Sequence, residues 1–243
     1  MPHGGTGALI YYQGESEPLT NRFLKAFLRP GMSFWDVGAH IGEHTLLAAL
    51  AVGGSGEIHA FEPSPETFAL LTANVNSNGL QTVTLSQMAV SDTCADTTFQ
   101  VFDEPAISCL TPGGEDTRKY KSTQIRVDCI SLDHYSKGKR VPNLIKIDVE
   151  GAELSVLQGM VNLLCTESAR SPVLIFEFSP ANAQRFGYQA ARLIGFLAKF
   201  GFNVYSLSKH ALVPLDSNTE HFQTHYPENN LIAAKTEPCV HSV

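Results

Sequence analysis

Met32-Ser-Phe-Trp-Asp36-Val-Gly38-Ala-His40-Ile-Gly42, continued through Ala60-Phe61-Glu62-Pro63, is the stretch that decides the fold. Phe34, Trp35 and Val37 make a short apolar run suited to a buried parallel strand, and the run stops at two glycines spaced four apart. Leu46, Leu47 and Leu50 recur at helical spacing until Gly53 and Gly54 end the helix. A second apolar run, Ile58 to Phe61, then delivers Glu62 at its carboxyl end. Strand, glycine turn, helix, strand and terminal acid are the first half of a nucleotide-binding crevice.

Working outward, residues 1–16 hold four glycines and the Tyr11-Tyr12 pair, and no regular element is assigned to them; they read as a flexible segment or lid. Pro18 suits a first helical position, with Leu19, Phe23, Leu24, Phe27 and Leu28 as one apolar stripe. Ser64-Pro65-Glu66 supplies an N-cap, a proline at the first position and an acid in the first turn of another helix, whose inner face is Phe68, Leu71 and Val75. Val83 to Leu85 is strand-like. Thr97–Phe102 and Thr123–Asp128 follow as two more strands, so residues 93–130 are expected to form an inserted β-hairpin on the edge of the sheet.

Asn143 to Ile147 returns to a core strand ending in Asp148-Val149-Glu150-Gly151, and Leu154, Leu157, Val161 and Leu164 mark one helix after it. Strands over Pro172–Phe176, Phe202–Leu207 and Asn230–Ala234 complete a doubly wound, mostly parallel, seven-stranded α/β sheet. One domain is expected over residues 17–235, with residues 236–243 as a tail. His221 and His225, four apart but without a thiolate nearby, read as part of an exposed loop that also holds His210.

Composition excludes several functions. The chain has 243 residues and a net charge of −7, with its lysines and arginines scattered, which argues against a nucleic-acid partner. Five cysteines without a Cys-x-x-Cys pair give neither a zinc site nor a disulfide framework, and no metal is expected. No apolar run approaches the ~20 residues of a membrane span and the amino terminus has no signal-peptide pattern, so a cytoplasmic protein without a membrane partner is expected.

In an open α/β sheet the ligand lies beyond the carboxyl ends of the strands, where Asp36, Glu62, Asp148 and Glu177 all fall. The Gly-x-Gly-x-x-Gly of dinucleotide sites is absent, and Asp36 would repel a pyrophosphate. Asp36 and Asp148 instead suit a cationic amine or sulfonium, while Glu62 suits the hydroxyls of a ribose. S-adenosylmethionine carries both.

The segments Asp36-Val-Gly-Ala-His-Ile-Gly42, Phe61-Glu-Pro-Ser-Pro65, Ala89-Val-Ser-Asp92 and Ile147-Asp-Val-Glu-Gly-Ala-Glu153 resemble, in that order, the motifs of FkbM-type methyltransferases of the class I S-adenosylmethionine-dependent superfamily. The resemblance spans residues 20–235. It implies that Gly38 and Gly42 let the methionine part of the cofactor lie against the turn, with Asp36 near its amino group. By the same resemblance Glu62 binds the ribose, Met88 and Ala89 border the adenine, and Asp148 faces the methionine amine or the reacting methyl. His40 stands where the family usually has Asn. An imidazole still donates one hydrogen bond there, and it is expected neutral beside a sulfonium.

A hydroxyl acceptor on a sugar, a polyketide or another natural product needs a base, for which Asp148 and Glu150 are the expected catalytic residues, followed by His40 and Glu177. Glu150 reads equally well as a helix-start acid satisfying backbone amides. A carboxylate acceptor on a peptide would need no base. An RNA methyltransferase, a nicotinamide dehydrogenase and a non-catalytic nucleotide-binding protein are the rival readings, and the oligomeric state is open.

Overall fold

The computed structural model describes residues 5–103, 107–111, 121–208, 211–215 and 229–240, with only the backbone for residues 5, 6 and 8. The polar loop around Pro112 and the histidines His210, His221 and His225 lie outside the described residues. Five parallel strands form one side of the main sheet: β3 (Val83–Ser86), β2 (Glu57–Phe61), β1 (Ser33–Val37), β9 (Leu144–Ile147) and β10 (Val173–Glu177), in that spatial order. Beyond β10 the sheet turns antiparallel through β13 (Asn230–Ala234) and β11 (Asn203–Leu207). The expected seven strands are thus present, and β12 (Leu212–Pro214), paired antiparallel to β11, makes an eighth at the edge. The chain leaves β1 toward β2 on one side and returns as β9 on the other, which places the topological switch point between β1 and β9.

Side chains alternate across each strand. On β1, Trp35 and Val37 join Ile145 and Ile147 of β9 in the core under α6 (Glu153–Gln158) and α9 (Ala191–Ala198). Phe34, Leu144 and Ile175 join the opposite core under α2 (Pro18–Phe27) and α3 (Glu43–Val52). The same alternation puts Asp36 and Lys146, which are register partners, on the α2 and α3 face.

Helix starts follow the sequence signals: Pro18 opens α2, and the Ser64 hydroxyl accepts from the Thr67 amide to cap α4 (Pro65–Ser77). Two helices depart from their apolar periodicity. Leu50 of α3 is 76% exposed, and the buried face is His44, Thr45, Ala48, Ala49 and Val52, because small side chains let the helix lie close on the sheet. The helix expected over Leu154–Leu164 is broken into α6 and α7 (Val161–Leu164) at Gly159, where a Cβ would stand 2.1 Å from the Ser91 carbonyl oxygen. Residues 5–13 form α1 (Gly5–Gln13), an element the sequence did not assign.

The insertion contains the expected hairpin, β5 (Thr97–Phe102) against β7 (Ser122–Val127). It does not lie on the edge of the main sheet. With β6 (Cys109–Leu110) it makes a separate three-stranded antiparallel sheet, rooted by the short pair β4 (Ala89–Val90) and β8 (Cys129–Ile130). Phe99, Val127 and Cys129 give it a small core of its own, shared with Ala89. Of the remaining short helices, α5 (Leu132–Tyr135) packs Leu132 into the α6 and α9 core, and α8 (Pro180–Arg185) follows β10.

Candidate active site

A cleft of about 980 Å³, counted to its open mouth, lies over the carboxyl ends of β1, β2 and β9. Its floor is the two turns that follow β1 and β9. Phe99, Ser108 and Leu110 of the inserted sheet border it on one side, and Ser16 and Glu17, just before α2, border it on another.

The turn after β1 is held by a carboxylate from the neighbouring strand. His40 has φ +50, the left-handed region, and its amide donates to Glu62 Oε2 at 3.0 Å. Glu62 Oε1 accepts from the Ser64 amide at 2.9 Å. Glu62 is buried yet lines the cleft, and burial raises its carboxyl to about 7 although both amides work to lower it. Burial likewise pushes the His40 imidazole below its ordinary range against the pull of Asp148, so the expected neutral ring is favoured. Phe61, Met88, Ala89 and Val90 line the cleft beside Glu62, an apolar wall next to a carboxylate.

Asp36 and Gly42 do not line the cleft. Asp36 Oδ2 accepts from the Thr45 hydroxyl at 2.6 Å beneath α3, and burial raises its carboxyl above the usual range. At Gly42 a Cβ would lie 2.6 Å from Leu71 Cδ1, and at Gly38, which does line the cleft, a Cβ would lie 1.8 Å from the Asp148 carbonyl oxygen. With φ +96 and +85, these glycines are required by the backbone and by the close approach of protein neighbours. These contacts give Asp36 and both glycines a packing reason of their own, beside the cofactor roles expected of them from the sequence.

The turn after β9 brings together Asp148, Glu150 and Glu177. One carboxylate oxygen from each lies within 4.8 Å of the others, a group close enough to share a metal ion. Asp148 and Glu150 line the cleft. Glu150 sits at φ +55, outside the ordinary range of a side-chain-bearing residue, and its Oε2 accepts from Asn182 Nδ2 at 2.9 Å. The same amide donates to Glu177 Oε2 at 3.0 Å. Burial, then Asp148 and Glu153, push the Glu150 carboxyl up to about 8, and burial, then Asp148, Glu150 and Glu153, raise Glu177 well above its ordinary value. Backbone amides are satisfied by another residue: Glu153 Oε1 accepts from Val149 and Gly151 at 3.2 and 3.0 Å. The helix-start reading belongs to Glu153, and Glu150 keeps its carboxyl for the cleft.

Several site residues were missed in the sequence. Lys146, buried on β9, donates to Asp148 Oδ2 at 2.6 Å. Asn182 couples Glu150 to Glu177. Glu43 accepts from the Ser16 hydroxyl and amide and from Asn21, tying the segment before α2 to the start of α3. His44, read as structural, is buried but borders the cleft 3.4 Å from Glu17 Oε2, and burial drives its imidazole well down. Lys146 carried one signal: a lysine at an inward position of a core strand is rarely unpaired. Asn182 and Glu43 carried none.

The family described as the methyltransferase FkbM domain matches residues 36–204, and the chain belongs to it. Residues of this chain are 35% identical over 133 positions to the hexuronic acid methyltransferase AglP of Haloferax volcanii, covering 54% of this chain and 50% of that protein. They are 46% identical over 65 positions to the 31-O-demethyl-FK506 methyltransferase FkbM of Streptomyces tacrolimicus, covering 27% of this chain and 24% of that one. The matches thus span half or less of these relatives. The crystal structure of methyltransferase FkbM from Methylobacillus flagellatus superposes with a TM-score of 0.54 at 16% identity, covering 92% of this chain and 49% of that one, and shows the shared fold.

The cofactor of the family is S-adenosylmethionine, and the residues present fit it. Among the described charged residues of the wall, five are acids (Glu17, Glu43, Glu62, Asp148 and Glu150) and the one lysine is already bonded to Asp148, so the charged set matches a cationic ligand and not a pyrophosphate. A carboxylate beside an apolar wall matches a ribose joined to a base. No helix among the described residues is long and apolar enough to cross a membrane.

Proposed function

We propose that this chain is an S-adenosylmethionine-dependent O-methyltransferase acting on a hydroxyl of a sugar, polyketide or other natural-product small molecule. The observation that carries the reading is Glu150: a carboxyl in the cleft beside Asp148, shifted up to about 8 and tethered through one oxygen by Asn182. A general base works best with a pKa near the operating pH. The names of the two curated relatives, one a hexuronic acid and the other an FK506 methyltransferase, support a small-molecule acceptor.

The bound cofactor supplies an electrophilic methyl group on a sulfonium, and alignment of acceptor and methyl accounts for much of the acceleration. Glu62 holds the ribose, and Met88 and Ala89 border the adenine. Asp148 meets the cationic end. Glu150 takes the acceptor hydroxyl proton on its free oxygen as the new bond forms, and Asn182 keeps that carboxyl turned to the cleft. Neutral His40 adds no charge against the sulfonium. The described part of the N-terminal segment, residues 5–16, serves as a lid, a reading supported by Ser16 at the cleft and its bonds to Glu43.

A carboxylate acceptor would meet Glu17, Glu43, Glu62, Asp148 and Glu150, with no unpaired cation among the described lining residues. The test is release of S-adenosylhomocysteine over a panel of sugars, hydroxylated polyketides, peptides and RNA. Turnover on hydroxyl compounds is expected; turnover confined to peptide carboxylates or to RNA would remove the assignment.

A further inference from the structure

Lys146 is a buried side chain of the cleft to which the reaction above gives no part. It is 2% exposed, lies on a central strand between Asp36 of β1 and Ile175 of β10, and reaches the cleft floor. Its ammonium donates to Asp148 Oδ2 at 2.6 Å. Among the described residues Asp148 Oδ1 accepts no hydrogen bond, and the Asp148 side chain is 23% exposed, so water can solvate this carboxylate without any lysine. A buried lysine is costly, and replacing a buried ion pair by an apolar side chain of similar volume is often neutral or stabilising. Charge balance with buried Asp36 and with Glu17 accounts for an ammonium here, but not for its bond to the partly exposed Asp148. Burial by itself would strip the proton from Lys146, but Asp148, Glu17 and Asp36 outweigh it and keep the ammonium charged.

We infer that Lys146 is a positioning residue: bonded to one oxygen of Asp148 from below the cleft floor, it fixes that carboxylate so that the other oxygen is presented to the cationic amino-acid end of the cofactor. Two features of the site favour this over a general charge balance. The bond joins residues two apart across the end of β9, where the strand gives way to the turn and Asp148 would otherwise be free to choose its rotamer. Gly38 also packs against the Asp148 carbonyl, so the backbone of Asp148 is clamped and the side-chain torsion is what remains to be set.

The inference rests on the cofactor reading above, and calorimetry with two probes separates the failures. S-adenosylhomocysteine carries the amino-acid end; 5′-methylthioadenosine keeps the ribose and base but lacks it. In Lys146→Met, affinity for S-adenosylhomocysteine is expected to fall by about tenfold or more, the scale of one charge-assisted bond, while affinity for methylthioadenosine stays within about twofold. The thermal midpoint of the unliganded variant is expected to fall, since Asp36 and Asp148 lose their counter-charge, so the role is read from the difference between the two probes and not from stability. Asp148→Asn should remove most of the same affinity, and the double variant should lose little beyond Asp148→Asn alone. Equal losses for both probes, or additive losses in the double variant, overturn the role. Should Lys146→Met not fold, Lys146→Gln is held to the same criteria. Wild-type protein that binds neither probe overturns the cofactor reading itself, and the inference with it.

Discussion

The turns after β1 and β9 use the same backbone device and divide the labour differently. Each holds a side-chain-bearing residue in the left-handed region, His40 and Glu150, and each is pinned by a carboxylate that accepts backbone amides. In the first turn that carboxylate is Glu62, which comes from β2 and also faces the cleft. In the second it is Glu153, buried at the start of α6 with the Tyr188 hydroxyl 3.2 Å from its Oε2. Holding backbone amides and lining the cleft fall on one acid in the first turn and on separate acids in the second. On the function proposed above, substitutions at Glu62 are expected to mix stability with affinity, and substitutions at Glu150 to act on chemistry.

The largest effect tests what joins the turns. Gly38→Ala places a methyl 1.8 Å from the Asp148 carbonyl at φ +85, so the two turns must separate; a loss of about 3 kcal/mol or more in chemical denaturation is expected, and a near-neutral variant would show the contact to be slack. Next is Glu150→Gln, which keeps the shape and the bond to Asn182. Turnover should fall by about 10²–10⁴ with cofactor affinity within about twofold. A matching loss of affinity would mean that the second turn does not separate its duties.

Glu62→Ala should weaken cofactor binding by about tenfold to a hundredfold and lower the thermal midpoint as well, since the His40 and Ser64 amides lose their acceptor. Unchanged calorimetric affinity would remove the ribose assignment. The acids of both turns also set a pH signature. Glu62 and Glu153 at about 7 and Glu150 at about 8 stand above their ordinary value of 4.5, so between those limits the folded state holds protons that the unfolded chain has released. The unliganded protein is therefore expected to lose stability as pH rises from about 4.5 to 8, and Glu150→Gln should flatten the upper end of that decline. Differential scanning calorimetry across the range checks both. The smallest effect is His40→Asn: Asn tolerates the left-handed region and keeps the amide that Glu62 holds, so cofactor affinity should move by less than about threefold. A larger change would give the imidazole a role of its own.

The sheet was legible because burial on both faces leaves continuous apolar runs, and the glycine turns and caps between them punctuate the chain locally. Asn230–Ala234 was placed to the residue. Leu50 misled because apolar character alone does not show which face of a helix meets the sheet. The inserted hairpin was legible as a hairpin, but its separation from the main sheet depends on the β4 and β8 pair, which joins residues about 40 apart in sequence through two bonded positions.

For the site, the sequence by itself determined that acids collect at the carboxyl rim, because strand ends are fixed by local pattern and the crevice rule does the rest. Tertiary structure alone decided which acid does what. Asp36 turns to Thr45 beneath α3 while Asp148 turns to Lys146 at the cleft. Glu153 takes the backbone amides that were one of the two readings of Glu150. Both glycines of the first turn make room for protein neighbours. Each of these outcomes depends on partners brought in from other strands and helices, and a hydrogen bond chosen among several nearby donors leaves no period in the sequence to read.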